Sequence, residues 1–357
     1  MHMECPGRSI FQQDVESAAL GGYDFDALKN KTFLITGATG LIGGALVRTL
    51  LCANRLRGLN AKILAPVRSI EKAKTVLKGV FGREELTVYE CSLENEIQTE
   101  EKIDYIVHAA SVTQSKLIVS KPVETIAFSL LSTMNLLDLA RKKNACGMVY
   151  LSSMEAFGKT DPALERVTEK GMGDIDLSSV RSSYPESKRM CENMCVCFAR
   201  EYGVPVVSAR LAQTFGAGVN EGENRAFMQF ARSAMEGKDI VLHTKGESYG
   251  NYVYLKDAVS AILVLLTRGE KGETYTVTNE DACVQIRDLA RLAARTLSDP
   301  PVDVIFDIPE DPMAFGYAPD VQMHLSNHKL CLLGWAPTTC LKDMFLRMAE
   351  DIKQMKN

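Results

Sequence analysis

A chain of 357 residues, 46 % of them apolar, is long for one domain and has material for a large domain plus a smaller second part. Its 41 Lys and Arg mix evenly with 45 Asp and Glu for a net charge of −4, which argues against a polyanion binder and predicts no nucleic-acid partner. No apolar run approaches the roughly 18–20 residues of a membrane span, and Met1 to Gln13 lacks a basic-then-apolar leader. Ten cysteines without framework spacing predict a reducing, cytoplasmic setting.

In chain order, residues 10 to 30 are expected to form a helical preface anchored by Leu20 and Leu28, without chemistry of its own. Thr32-Phe33-Leu34-Ile35-Thr36 then reads as a buried parallel strand. It breaks into Gly37-Ala38-Thr39-Gly40-Leu41-Ile42-Gly43, and Ala45, Leu46, Val47 and Leu50 continue as a helix. Gly37 permits a sharp turn, Gly40 lets backbone N–H groups approach a pyrophosphate, and Gly43 lets helix and strand approach closely. The helix N-terminus offers unpaired donors and a partial positive charge. Gly37, Thr39, Gly40, Leu41, Ile42 and Gly43 are therefore assigned to a dinucleotide. The G-x-x-G-x-x-G spacing is one residue longer than the usual turn, and its specificity comes from the strand before it and the helix after it.

Further strands are expected at Lys62–Val67, Leu86–Glu90, Ile103–His108, Met148–Leu151 and Pro205–Ala209, and helices at Ile70–Phe81, Pro122–Lys143 and Ser183–Tyr202. This alternation predicts an α/β, doubly wound parallel sheet, a Rossmann domain with a smaller interleaved substrate domain. After Phe215 the alternation stops. Glu221 to Gly237 reads as loop and helix, Ile240 to His243 as a short strand, and Tyr252 to Thr267 as a return to the main sheet with its last helix. Thr274–Val277, a Gln285–Thr296 helix, a Pro-rich stretch near 300 to 319 and a final helix from Leu341 complete the chain. The expected division is a preface at 1–30, a dinucleotide domain at 31–214 plus about 252–272, and a substrate domain at 215–251 plus 273–357.

Tyr184 and Lys188, four apart at a helix start, share one face. An ammonium there would stabilise phenolate and pull the tyrosine down from about 10 toward working pH, which suits proton abstraction. Ser183 with Glu186 fits a capping box, and Pro185 is tolerated in a first turn. Ser152-Ser153-Met154-Glu155 follows the fifth strand at the carboxyl edge where such sheets bind ligands, and the Ser153 hydroxyl can bond the oxygen that Tyr184 deprotonates. Cys191 and Cys195 share a helical face while Cys197 points elsewhere, and the histidines, His108 among them, form no cluster, so no metal is expected. Trp335 reads as a core anchor of the second domain.

The glycine loop, Ser153, Tyr184 and Lys188, in this order, resemble the extended short-chain dehydrogenase/reductase family, in its NAD-dependent epimerase/dehydratase branch. The resemblance runs from about residue 31 to 350 and extends to Asp104–Ala110, Ser132–Leu137, Arg210–Gly216, Tyr254–Asp257 and Leu333–Pro337. It implies a cytoplasmic homodimer that acts on a nucleotide-diphosphate sugar through a transient keto-sugar, with no membrane partner. Glu155 stands where the 4,6-dehydratases and UDP-glucuronate decarboxylases carry an acid for the neighbouring sugar carbon. Met154 replaces the Asp of glucose-type dehydratases, and Met cannot donate a proton. The implied catalytic set is Ser153, Tyr184, Lys188 and Glu155, and the implied substrate contacts are Ser153, Arg181, Gln213, Arg225 and Gln229. Gly250 and Tyr317, the latter two residues ahead of Pro319-Asp320, stand where relatives usually have diphosphate-binding Arg.

The second strand ends in Val67-Arg68-Ser69, without the acid that holds a ribose 2′-hydroxyl and with a cation where a 2′-phosphate would sit, so NADP is favoured over NAD. Arg68 and Ser69 are assigned to the cofactor with Ser92 and Leu93 on the adenine side, Ala109, Ala110 and Ser111 on the adenine and nicotinamide-ribose side, and Tyr184 and Lys188. Ser92 replaces an Asp common in relatives. The alternatives are an NADP-dependent carbonyl reductase of the same fold and a non-catalytic dinucleotide-binding protein.

Overall fold

A computed structural model describes residues 3–220, 222–309 and 322–356. Seven parallel strands form the main sheet: β1 (Thr32–Thr36), β2 (Lys62–Val67), β3 (Leu86–Glu90), β4 (Tyr105–His108), β5 (Gly147–Ser153), β6 (Val206–Leu211) and, much later in the chain, a strand at Thr274–Val277. Their spatial order is Thr274–Val277, β6, β5, β4, β1, β2, β3. The order reverses direction between β1 and β4, and doubly wound sheets bind ligands at the carboxyl ends of that switch.

The connecting helices are α1 (Ser9–Ala19), α2 (Phe25–Leu28), α3 (Leu41–Arg57), α4 (Ile70–Val76), α5 (Ser115–Ser120), α6 (Pro122–Lys142) and α7 (Ser183–Glu201). Helix α4 stops five residues short of the expected Phe81, because Gly79 and Gly82 turn the chain at φ 95° and 86°. The capping box expected at Ser183 does not form. A 3-10 turn at Val180–Ser182 precedes α7, the Ser179 hydroxyl accepts the Arg181 N–H at 3.3 Å, and Ser183 Oγ has no partner among the described residues. Helix α6 is long and apolar enough to cross a membrane by length and composition alone, which inspection of apolar runs missed. In the fold its Thr125, Ser129, Ser132 and Thr133 are buried, and it packs along α7.

Beyond β6 come β7 (Gln213–Phe215), α8 (Ala226–Met235), β8 (Ile240–Leu242), β9 (Tyr249–Tyr254), α9 (Leu255–Arg268), β10 (Thr274–Val277, already placed), β11 (Asn279–Gln285), α10 (Ile286–Leu297), β12 (Val304–Phe306), α11 (His328–Cys331) and α12 (Leu341–Lys356). Strand β9 does not return to the main sheet. It lies between β7 and β11 in a three-stranded sheet, and β8 pairs with β12. Strand β10, which the sequence places in the substrate part, instead extends the main sheet beside β6. Trp335 belongs to the main-domain core, donating its indole N–H to the Asp257 carbonyl (3.1 Å) and Ser260 Oγ (2.9 Å) on α9. Tyr317 and Pro319-Asp320 lie outside the described residues.

The N-terminal segment is a strap joining both parts. Leu28 is fully buried, but Leu20 is 60 % exposed and anchors nothing. Helix α1 packs on α3, α9 and α12. Asp14 accepts from Tyr254 Oη at 2.5 Å and from Arg347 at 2.6 Å, and Arg8 pairs with Asp351. Glu4, wholly buried, accepts from Arg55 at 2.8 Å and Arg83 at 3.1 Å.

Candidate active site

The glycine loop leaves no room for side chains. Gly37 has φ 69°, and a Cβ on it would come within 2.6 Å of the Ala109 carbonyl carbon. A Cβ on Gly43 would come within 2.3 Å of the Gly37 oxygen. This backbone cradle at the start of α3 fits a pyrophosphate. Beside it, Thr36 Oγ1 accepts the Ala110 N–H at 3.2 Å and meets His108 Nδ1 at 2.9 Å, while His108 Nε2 meets Ser132 Oγ at 3.2 Å. Burial, assisted by the Lys188 charge, pushes His108 down to about 3, so it is a neutral tether between strand ends. Next along this edge, Ser111 Oγ is buried without a hydrogen-bond partner among the described residues.

Helix α7 and the end of β5 bring Ser153, Glu155, Arg181, Tyr184 and Lys188 together. Lys188 Nζ donates to the Leu151 carbonyl at 2.8 Å and lies 4.8 Å from the Tyr150 ring centre and 5.7 Å from that of Tyr184. Burial pushes it down to about 8. Tyr184 is not lowered as the four-residue spacing suggests. Burial and then the Glu155 charge push it up to about 12, against smaller pulls from Ser153, Arg181 and Ser111. Removing both groups from water favours the neutral form of each, and this outweighs their mutual attraction.

Glu155 sits in a 3-10 turn, Met154–Phe157, where the Ser153 hydroxyl accepts its N–H at 3.2 Å. Its carboxylate meets Arg181 Nη2 at 2.6 Å. The Arg181 guanidinium lies 5.8 Å from the Tyr184 ring centre, and its Nη1 is buried with no partner among the described residues. Behind this cluster, Ser152 Oγ donates to Glu192 at 2.5 Å and Arg210 forks onto the same carboxylate at 2.6–3.1 Å. Sequence reasoning passed over this pair. Its signal was a charge within an otherwise apolar strand and an acid four residues after Lys188.

The other assigned positions divide. Arg68 is exposed at the end of β2, and Ser69 Oγ accepts the Lys72 N–H at 3.2 Å as the cap of α4. Glu90, paired in register with Val67, sends its carboxylate from β3 to the Ile70 N–H at 3.1 Å. An acid therefore reaches this edge from the neighbouring strand, which a search along β2 alone does not find. Ser92 is exposed, and the Leu93 carbonyl accepts from Asn135 of α6 at 2.9 Å. Gln213 starts β7. Arg225 pairs with Glu223 at 2.6 Å, and Gln229 donates to the Asn224 carbonyl at 2.6 Å, so both side chains bond within their own segment. Gly250 lies in the small sheet, where a Cβ would meet Tyr252 Oη at 2.4 Å.

A model of the NAD dependent epimerase/dehydratase family matches residues 33–278, more than half of the chain. The chain belongs to that family. Among curated members, it is 24 % identical over 324 residues to UDP-glucuronic acid decarboxylase 6 of Arabidopsis thaliana, covering 91 % of this chain and 89 % of that one. It is also 24 % identical to UDP-glucuronic acid decarboxylase 1 of Xenopus tropicalis, covering 88 % and 70 %. Among solved family structures, a UDP-glucose 4-epimerase of Thermotoga maritima with UDP-glucose superposes at TM-score 0.75 and 20 % identity, covering 91 % of this chain and all of that one. A UDP-glucuronic acid 4-epimerase of Bacillus cereus, with UDP-glucuronic acid and NAD, superposes at 0.73 and 18 %, covering 91 % and 99 %. The fold of this family member is thus the fold of those enzymes.

Proposed function

We propose that the protein oxidises the C4 hydroxyl of a nucleotide-linked hexuronate, that the resulting ketone loses the neighbouring carboxylate as CO2, and that the ketone is then reduced again. The observation that carries this reading is Arg181, whose Nη2 is held by Glu155 while its buried Nη1 awaits an acceptor. A neutral sugar leaves that N–H group unpaired at a cost of about 1–3 kcal/mol, and a carboxylate pairs with it through a charge-assisted bond.

A bound nicotinamide supplies a reversible hydride acceptor. The chain's own residues handle protons and charge. Burial holds the Tyr184 phenol up to about 12, so it must first lose its proton to solvent. The Lys188 ammonium stabilises that phenolate, whose Oη takes the C4 hydroxyl proton while Ser153 Oγ bonds the same sugar oxygen. With a ketone at C4, the C5 carboxylate is that of a β-keto acid. Its C5–C6 bond breaks, the electron pair passes into the C4 enolate, C5 takes a proton from water on the Glu155 side, and Tyr184 returns its proton to the C4 oxygen as the ketone is reduced. Electrons balance because the hydride removed at C4 returns to C4.

Two observations weigh against the NADP expectation, and the cofactor proposed is NAD. The family is NAD dependent, and the Glu90 carboxylate stands at the β2 edge where a 2′-phosphate would be repelled. Self-association is proposed through the paired helices α6 and α7, which expose Val123, Ile126, Leu131, Met134 and Met190 on their outer side. A cytoplasmic setting is proposed with them, on the ten free cysteines.

The test is to denature the purified protein, identify the released dinucleotide, and incubate the holoprotein with UDP-glucuronate. Retained NAD, release of CO2 and a pentose product by mass are expected. Stoichiometric consumption of NADPH on a simple carbonyl compound would replace this reading with a reductase.

A further inference from the structure

Below the cluster lies a buried ionic hub with no part in the steps above. Glu192 and Arg210 are each almost fully buried, their side chains 8 % and 6 % exposed. Arg210, on β6 opposite Ser152 of β5, also donates to the Glu169 carbonyl at 2.9 Å, and the Glu169 carboxylate accepts the Thr276 N–H of β10 at 2.8 Å. The Phe157 ring lies 4.6 Å from the same guanidinium. Two strands, β5 and β6, thus meet the Glu192 carboxylate of α7, and through Arg210 the hub reaches the Glu169 carbonyl and the Phe157 ring of the turn carrying Glu155. Glu192 stands one helical turn after Lys188 on α7, so the two share a face. Its partner Ser152 directly follows Leu151, whose carbonyl receives the Lys188 ammonium.

We propose that Glu192 is a positioning residue: clamped by Arg210 and Ser152, it fixes where the Lys188 ammonium sits and keeps it charged. This rests on the reading of Tyr184 and Lys188 as the proton-handling pair. A buried ion pair is seldom a net source of stability, so its place beneath the reacting groups asks for another role.

The groups facing Lys188 leave few alternatives. His108 on β4 is neutral, and burial pushes Tyr150 on β5 and Tyr184 on α7 well up, so both phenols stay protonated. On α7 itself, Cys191 donates its S–H to the Ser129 carbonyl, and burial pushes the Cys195 thiol far up. Glu155 is matched by Arg181. Against the larger effect of burial, Cys191 and then Glu192 favour the ammonium, and Glu192 is the carboxylate among them on the helix's own face. Removing its charge also leaves Arg210 as an uncompensated cation, which adds to the effect.

The experiment is to follow Lys188 by NMR in full-length protein labelled at lysine Cε, its resonance assigned by loss in Lys188→Arg. In Glu192→Gln, which keeps hydrogen-bonding capacity, the resonance should titrate about one pH unit or more lower than in wild type, roughly a tenfold shift in the protonation equilibrium. Glu192→Asp, which restores the charge, should move it back. With UDP-glucuronate as probe, Glu192→Gln should lower kcat about fivefold at pH 8, as the protonated share of Lys188 falls, with KM and NAD affinity within about twofold. Ser152→Ala, which cannot unsettle the fold by stranding a charge, should lower kcat about threefold with KM unchanged. An unmoved Lys188 titration in Glu192→Gln overturns the proposal, as does a kcat loss that comes only with lost NAD binding. Absence of turnover in wild type would reject the decarboxylase reading, while the NMR titration still decides the role of Glu192.

Discussion

Arg181 holds Glu155 at 2.6 Å with one guanidinium nitrogen and keeps the other buried and unpaired. The pair therefore combines one matched charge with one donor nitrogen that has no partner among the described residues. Arg181→Ala should raise KM for a uronate nucleotide about tenfold or more, in line with loss of a charge-assisted bond of roughly 1.5–3 kcal/mol. Arg181→Lys should recover part of that loss. An unchanged KM in steady-state assays would remove the carboxylate contact from the mechanism.

Tyr184→Phe should lower turnover by about 10²–10⁴-fold, the usual range for a positioned acid or base. NAD affinity, measured by calorimetry, should stay within a factor of about two, because the phosphates are held by the backbone cradle. Full activity in this variant would mean that another group removes the proton.

The pH dependence of stability has a defined sign. His108 is held at about 3 against an ordinary 6.5, so the unfolded chain takes up a proton that the folded chain refuses. Its contribution is full above pH 6.5 and is lost as pH falls toward 3. Glu4, held at about 2 against 4.5 chiefly by Arg55 and Gln12 against the opposing effect of burial, adds a loss between pH 4.5 and 2. Urea denaturation from pH 8 to 4 should show stability falling below pH 6.5, with a flatter profile in His108→Asn.

Replacing Asp14 with Ala strands Arg347 and removes the acceptor of Tyr254. Burial raises the Asp14 carboxyl despite both partners, so the pair is not a large net gain, yet breaking it should cost about 3 kcal/mol in urea melts. Arg347→Ala combined with Asp14→Ala should cost clearly less than the sum of the single changes.

Charges placed on the outer side of α6, as in Ile126→Asp with Met134→Lys, should convert a dimer to monomer in sedimentation analysis while leaving NAD binding intact. A monomeric wild type would dismiss the self-association surface.

Much of this was legible in the sequence for physical reasons. Strands β1, β2 and β3 were read to the residue, the first two because buried parallel strands are short apolar runs closed by polar or glycine residues. Ser153, Tyr184 and Lys188 were found because strand-end and helix spacing place them. Tyr252-Val253-Tyr254 misled because such a run suits either sheet, and its partner is a tertiary choice. The raised Tyr184 was hidden since spacing reports a neighbour but not burial. Glu90 was missed because strand register, not chain order, brings it to the β2 edge.

The strap at the start of the chain bears on the order of assembly. Asp14 and Arg8 meet Arg347 and Asp351 across more than 330 positions. During synthesis the main sheet can begin to pair early, yet α1 holds an unmatched carboxylate until α12 emerges. The last helix described is thus the event that closes both parts at once. Until residues 341–356 have been made, Arg8 lacks Asp351 and Asp14 lacks Arg347, while α1 can already rest on α3 and α9.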